Sequence, residues 1–287
     1  MTSRSPTPES VESPSKSCSV YEALTTSFTI RSQSPALLDI VDLQYSHLRG
    51  VVEPTEAGID IELIPVDDKT CEIRIEGESV ASVSGPGHLL HELDNHLVYH
   101  LQRRVPGLYF VHAACLAREG GATMIMGDSG AGKSTTAYAL AAAGLEYLSD
   151  ELSPIDVDEQ VVMPYARAIC LKNDPPAPLE LPENYLRSEW TLHIDPQLLG
   201  ATVATGPRRL DRIVFLTHEP DNSEPRLRRL SSSDAAVRLY QNALNQLAHE
   251  GWGLDDTVRL VSSATCYELV RGGVTQTLEA LAETGAL

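Results

Sequence analysis

The chain has 287 residues, of which 42% are hydrophobic, enough for one large domain or two modest ones with real cores. Its 40 acidic against 22 basic residues give a formal charge of −18, so a long polyanion would meet net repulsion and general nucleic-acid binding is set aside. Five cysteines (Cys18, Cys71, Cys115, Cys170, Cys266) are scattered singly with no CxxC pair, which fits buried thiols in a reducing cytoplasm rather than a disulfide framework or zinc site.

The opening "MTSRSPTPESVESPSKSC" lacks the apolar core of a signal peptide, and no run reaches membrane-spanning length, so a cytoplasmic protein with no membrane partner is expected. Residues 1–18 are rich in Ser, Pro and Glu without a hydrophobic period and are expected to form a disordered tail. From Tyr21 to about Gly85, short apolar runs such as "SFTI", "IDIELIPV" and "CEIRI" alternate with Pro, Gly and Asp, which reads as a small β-rich module. In "HLLHELDNHLVYHLQRR", Leu89, Leu93, Leu97 and Leu101 recur every four residues, so a helix burying one stripe closes an N-terminal unit over 19–104.

The rest of the chain, 105–287, reads as a second domain. "LYFVHAACLA" and "ATMIM" are strand-like, and a helix from about Lys133 to Ala143 stops at Gly144. "LEYL" is the next strand; "LSPIDV", "QVVMPYA" and "RAICLK" are short strands, and "NDPPAPLELPENY" is a surface loop. "DRIVFLTHE" is a strand and "SSDAAVRLYQNALNQLAHE" a helix capped by Ser231 to Asp234; "CYELVRG" and "VTQTLEALAE" close the chain as strand and helix. No internal repeat is visible.

One motif carries chemistry. Gly127, Asp128, Ser129, Gly130, Ala131, Gly132, Lys133 and Ser134 fit G-x-x-x-x-G-K-[ST] between a strand and a helix. The glycines let successive N–H groups turn toward phosphate oxygens at a helix start whose dipole favours anions. Lys133 is placed to reach the β and γ phosphates of a nucleoside triphosphate and the Ser134 hydroxyl to hold Mg²⁺, with Thr135 following in the same cradle. In a strand-helix-strand unit both strands present their C-terminal ends on one edge, which returns Asp150 and Glu151 to the loop. A carboxylate there binds Mg²⁺ or accepts a proton from an attacking hydroxyl; a solvated turn is the plainer reading.

The text "VHAACLA…GDSGAGKSTTAYALAAAGLEYLSDE…PYARAICLK" resembles the HPr kinase/phosphorylase-related P-loop proteins, a set that includes kinase-like enzymes of peptide-tailoring gene clusters such as the lasso peptide kinases. The resemblance runs from about Leu108 to Leu281. It implies an α/β fold with the mixed sheet and flanking helices of the HPr kinase/PEP carboxykinase type, preceded by the β-rich module. It also implies ATP with Mg²⁺, His112 near the γ-phosphate, and Asp150 as base or phosphate-site carboxylate toward a serine hydroxyl, with Glu151 beside it in the metal shell. Two departures stand out. Asp150-Glu151 replaces the Asp-Asp of the bifunctional HPr enzymes, and "PYARAICLKN" stands where their later Glu-containing signature would be. Both point to a one-way kinase acting on a serine of a peptide or small protein, a ribosomally made precursor among the candidates. A small-molecule kinase and a non-catalytic nucleotide sensor stay open, as does assembly into a homo-oligomer.

Arg167 reads either as a phosphate clamp or as an exposed strand residue. Arg208-Arg209 and Arg226, Arg228, Arg229 are the dense basic clusters, with surface ion pairing the plainer account. "HELDNH" is not HExxH, because His91 and His96 are five apart; His96, His100 and Asp94 read as a solvated helix face. The GxSxG-like "GDSGAG" is already absorbed by the phosphate loop, and no Asp and His follow in hydrolase order.

Overall fold

The computed structural model describes residues 17–50, 58–219 and 224–287. The first unit comprises β1 (Ser17–Ala23), β2 (Thr26–Ser32), α1 (Pro35–Tyr45), β3 (Ile59–Pro65), β4 (Thr70–Ile75), β5 (Glu78–Ser84) and α2 (Gly85–Arg104). Its strands form one five-stranded sheet in chain order, with β2 and β3 parallel and the other pairs antiparallel. Ile59, Ile61 and Leu63 alternate inward on β3, and Cys71, Ile73 and Ile75 do so on β4. A one-residue slip would turn that whole face outward, so this pattern fixes the register.

The leucine stripe of α2 is buried as predicted, with Leu90 beside it. Reading Tyr21 to Gly85 as strands alone misses α1, which starts with Pro35 in its first turn and buries Leu38, Val41, Gln44 and Tyr45. Ser17 and Cys18, assigned to the tail, instead open β1 and pair with Ser32 and Arg31; the rest of the tail, 1–16, lies outside the described residues. Leu108, Phe110, Leu152 and Tyr165 join the same apolar cluster as Tyr45 and Leu93, so the first unit and the rest of the chain meet through a common core.

The second unit begins with β6 (Tyr109–His112), β7 (Ala114–Arg118), β8 (Gly121–Met126), α3 (Lys133–Ala142), β9 (Glu146–Ser149), β10 (Leu152–Asp156) and β11 (Val161–Val162). After the short β12 (Ile169–Leu171), β13 (Leu186–Arg187) and β14 (Leu192–Ile194) come β15 (Arg208–Thr217), β16 (Arg226–Arg229), α4 (Ser232–Gln241), α5 (Leu254–Ser263), β17 (Thr265–Val270) and α6 (Val274–Glu283). Nine strands form a mixed sheet ordered β6-β10-β11-β15-β8-β7-β9, extended by β17 on β15 and β16 on β17. Strands β12, β14 and β13 form a separate small sheet. The chain is therefore a mixed α/β protein, and among the described residues no helix is long and apolar enough to cross a membrane.

Strand β8 is buried at every position because both of its faces are covered. Met124 and Met126 pack with Leu239 of α4 and Leu260 of α5, while Ile125 packs with Leu140 of α3 and Leu281 of α6. The residues Thr136 to Ala141 are buried all round α3, which explains its alanine-rich text: a helix pressed between neighbours needs small side chains.

Three predicted elements differ. "LYFVHAACLA" breaks at Ala113, since β6 pairs with β10 while β7 pairs with β8 and β9. The helix predicted to run to Glu250 stops at Gln241: the His112 amide binds the Asn242 carbonyl and the Leu244 amide binds the Phe110 carbonyl, so pairing along the β6 edge overrides helical propensity. The Ser231 cap on Asp234 is present as predicted. In "QVVMPYA" only Val161 and Val162 are paired, and α5 falls in a stretch where the sequence pattern predicts no element.

Candidate functional site

Strand β8 delivers Gly127 to Gly132 directly onto the first turn of α3. Gly127, Gly130 and Gly132 all have positive φ, but their surroundings differ. A Cβ on Gly127 would lie 2.3 Å from the Leu216 carbonyl oxygen, whereas one on Gly130 would meet nothing within 4 Å. Gly127→Ala is therefore expected to cost about 2–4 kcal/mol and Gly130→Ala only the ~1 kcal/mol of a left-handed backbone, a contrast urea unfolding would read.

The Lys133 ammonium folds back over the loop to the Gly127 carbonyl at 2.7 Å. Lys172, at the end of β12, bonds the Ser129 hydroxyl at 3.0 Å, and Arg271 Nε bonds the Ala131 carbonyl at 2.8 Å. Two of the four lysines in the chain thus stand at one loop. That scarcity of lysine is the sequence signal that marks Lys172.

Because β7 is antiparallel to both β8 and β9, the latter two run the same way, and the residues after β9 emerge on the edge where β8 enters the loop. Asp150 is there and is buried. Its Oδ2 accepts the Cys170 amide at 2.8 Å, while Oδ1 has no hydrogen-bond partner. Burial pushes its carboxyl up to about 6, against weaker help from the Cys170 amide, Arg167 and the Ser134 hydroxyl. Glu151 is half-exposed, and the Arg167 guanidinium holds its carboxyl below the ordinary value. His112 ends β6 with Nε2 3.8 Å from Glu151 Oε1; burial, and then Lys133, lower its pKa, so the ring is neutral at pH 7. Burial also lowers the pKa of Lys133, with Glu151 and Asp150 opposing the shift.

Arg167 is not an exposed strand residue. It is 4% exposed, outside any strand, and its guanidinium bridges Asp94 of α2 and Glu151. Asp94 corrects the reading of a solvated helix face: Tyr45 and Gln44 from the end of α1 also donate to it, and burial raises its pKa. Gln44 reaches His193 Nδ1 as well, at 2.7 Å. The detectable signal for Asp94 is its place four residues after Leu90 and three before Leu97, on the flank of a buried stripe where a carboxylate needs a partner.

Other candidates fall away from this centre. His96 lies 3.9 Å from Glu92 on its own helix. Arg208 and Arg209 pair with Glu146 and Asp211, and Arg226 and Arg228 with Glu219 and Glu268, so these clusters are largely neutralised. Ser129 has Lys172 as its partner, not a histidine.

Loop, carboxylates and Arg167 line one open cleft of about 400 Å³, with Trp190 and His193 on its far wall. Asp128, Ser129, Gly130, Gly132, Lys133 and Ser134 face it, whereas Thr135 faces a smaller apolar pocket of about 140 Å³ shared with Ala177, Arg271 and Val274. The unpartnered Asp150 oxygen and the Ser134 hydroxyl are hard oxygen donors that suit Mg²⁺. Among the described residues no three His, Cys, Asp or Glu gather to hold a metal alone, so water and phosphate oxygens would complete the shell, as Mg²⁺ commonly requires.

No family model matches the chain, and no curated protein matches its sequence. Among solved structures, the Hpr(Ser) kinase/phosphatase from Coxiella burnetii aligns with 61% of this chain and 94% of that one, at 13% identity and a TM-score of 0.33.

Proposed function

We propose that the chain is an Mg²⁺- and ATP-dependent phosphotransferase that moves the γ-phosphoryl group onto a serine hydroxyl of a peptide or small protein, including a ribosomally made precursor peptide. The observation that carries this reading is Asp150: a buried carboxylate with one free oxygen, facing the lysine and serine of a glycine-rich loop at a helix start.

The loop amides, Lys133 and Lys172 bind the triphosphate of the substrate, and the α3 dipole adds to their field. The apolar pocket at Thr135 and Val274 takes the base. Mg²⁺, held by the Ser134 hydroxyl and phosphate oxygens, would neutralise phosphate charge, which leaves the free Asp150 oxygen to act as base. Asp150 accepts the proton of the serine hydroxyl as its oxygen attacks the γ-phosphorus, the bond to the β-γ bridging oxygen breaks, and ADP leaves. Neutral His112 orients the acceptor oxygen by hydrogen bonding, and Arg167 keeps Glu151 beside it.

Lys133→Ala removes a charge-assisted contact worth about 1.5–3 kcal/mol, so ATP affinity should fall roughly tenfold to a hundredfold by calorimetry. Function is read by mass spectrometry of serine peptides, with free serine in parallel, after incubation with Mg²⁺-ATP. One added phosphoryl group on a peptide, lost in Lys133→Ala, is expected. ATP binding without transfer to any peptide would refute the proposal.

A further inference from the structure

Beyond the phosphate cleft lies a second groove of about 350 Å³, which shares with it the wall made by His91, Asp94, His112, Glu151 and Arg167. Its continuation is more apolar: Val98 and Tyr99 from α2, Leu152, Tyr165 and Leu244 line it, with Asn95 and Gln102 as the polar exceptions. Tyr99 and Leu244 are 53% and 44% exposed although both belong to the large hydrophobic class. Arg103 stacks on the Tyr99 ring at 5.5 Å and donates to its hydroxyl at 2.9 Å, and meets no carboxylate among the described residues. The ring thus stands open with an available cation beside it.

Length decides which acceptor this groove suits. From His91 to Gln102 the helix rises about 16 Å at 1.5 Å per residue, which matches about five residues of extended chain. A single amino acid would fill only the catalytic end. From His91 to Tyr99 the rise is about 12 Å, or three to four extended residues.

We propose that this groove docks the acceptor as an extended peptide, with its serine at the His112–Glu151 end. An aromatic or long aliphatic residue three or four positions away packs on Tyr99, Val98 and Leu244, and an acidic residue lies near Arg103. This rests on the phosphotransferase reading and adds the specificity of its acceptor. The N-terminal unit, through α2, then selects the substrate that the loop unit phosphorylates.

The test is a positional library of serine-centred peptides with γ-labelled ATP, run on the full chain and on Tyr99→Ala, Leu244→Ala and Tyr99→Phe. Wild type should select an apolar residue at one position three or four from the serine. Tyr99→Ala and Leu244→Ala should flatten that selection and raise KM for the best peptide about tenfold or more, with kcat within about twofold and ATP affinity unchanged. Tyr99→Phe should retain the preference. Labelled peptides whose selection and KM are unchanged in both alanine variants would overturn the groove and leave the kinase reading standing. A wild type that binds ATP yet labels no library member, or only free serine, would overturn both.

Discussion

Replacing Arg167 with alanine is expected to destabilise the protein by about 1–3 kcal/mol, because it leaves the mostly buried Asp94 carboxylate without its cation. The guanidinium is 4% exposed and bridges Asp94, on the first unit, to Glu151, on the second. Glu151 is open enough for water to replace its partner, but Asp94 keeps only the Tyr45 and Gln44 bonds. The sign with pH follows. Asp94 already has a folded pKa above 3.8, and losing Arg167 raises it further, so the deficit is largest at neutral pH and shrinks as pH falls toward the unfolded value. Urea unfolding at two pH values measures it. A double replacement, Arg167→Met with Asp94→Asn, removes both charges while keeping an acceptor for Tyr45 and Gln44, and should be less damaging than the single one. If Arg167→Ala unfolds at the wild-type midpoint, the bridge between units carries no stability.

Asp150→Asn should cut kcat by about 10²–10⁴, the usual range for a lost general base, while making the fold more stable. A carboxyl moved by burial from 3.8 to about 6 disfavours the ionised folded state by about 3 kcal/mol. That cost is present above the folded pKa and disappears below the unfolded one, so a neutral side chain relieves it at pH 7. Thermal melts should show a higher Tm for the variant at pH 7.5 and a smaller difference near pH 4. In the wild type, kcat/KM for ATP should fall as pH drops through about 6, as the base takes up its proton. An unchanged rate with a lowered Tm would assign Asp150 to structure alone.

The glycine-rich turn between β8 and α3 was legible because its spacing encodes backbone geometry: three of its positions have positive φ, and only glycine adopts that freely. Asp150 was legible from topology, since β8 and β9 run the same way even though β7 separates them. The leucine stripe of α2 was legible from period alone. What escaped depends on contacts between distant segments. Asp94 looks like one polar residue among several on α2 until Gln44, Tyr45 and Arg167, 50, 49 and 73 residues away, converge on it. Trp190 and His193 reach the cleft from a stretch without periodic pattern. The end of α4 was set by hydrogen bonds to β6, which no local propensity records.

The most direct test of a single joined site is a paired measurement on wild type and Asp150→Asn: the ATP dissociation constant, and the single-turnover rate of γ-phosphoryl transfer to a serine peptide. The two-part site predicts a dissociation constant within about threefold and a rate lower by about 10² or more. Equal rates in the two proteins, or affinity and rate falling together by the same factor, would contradict it.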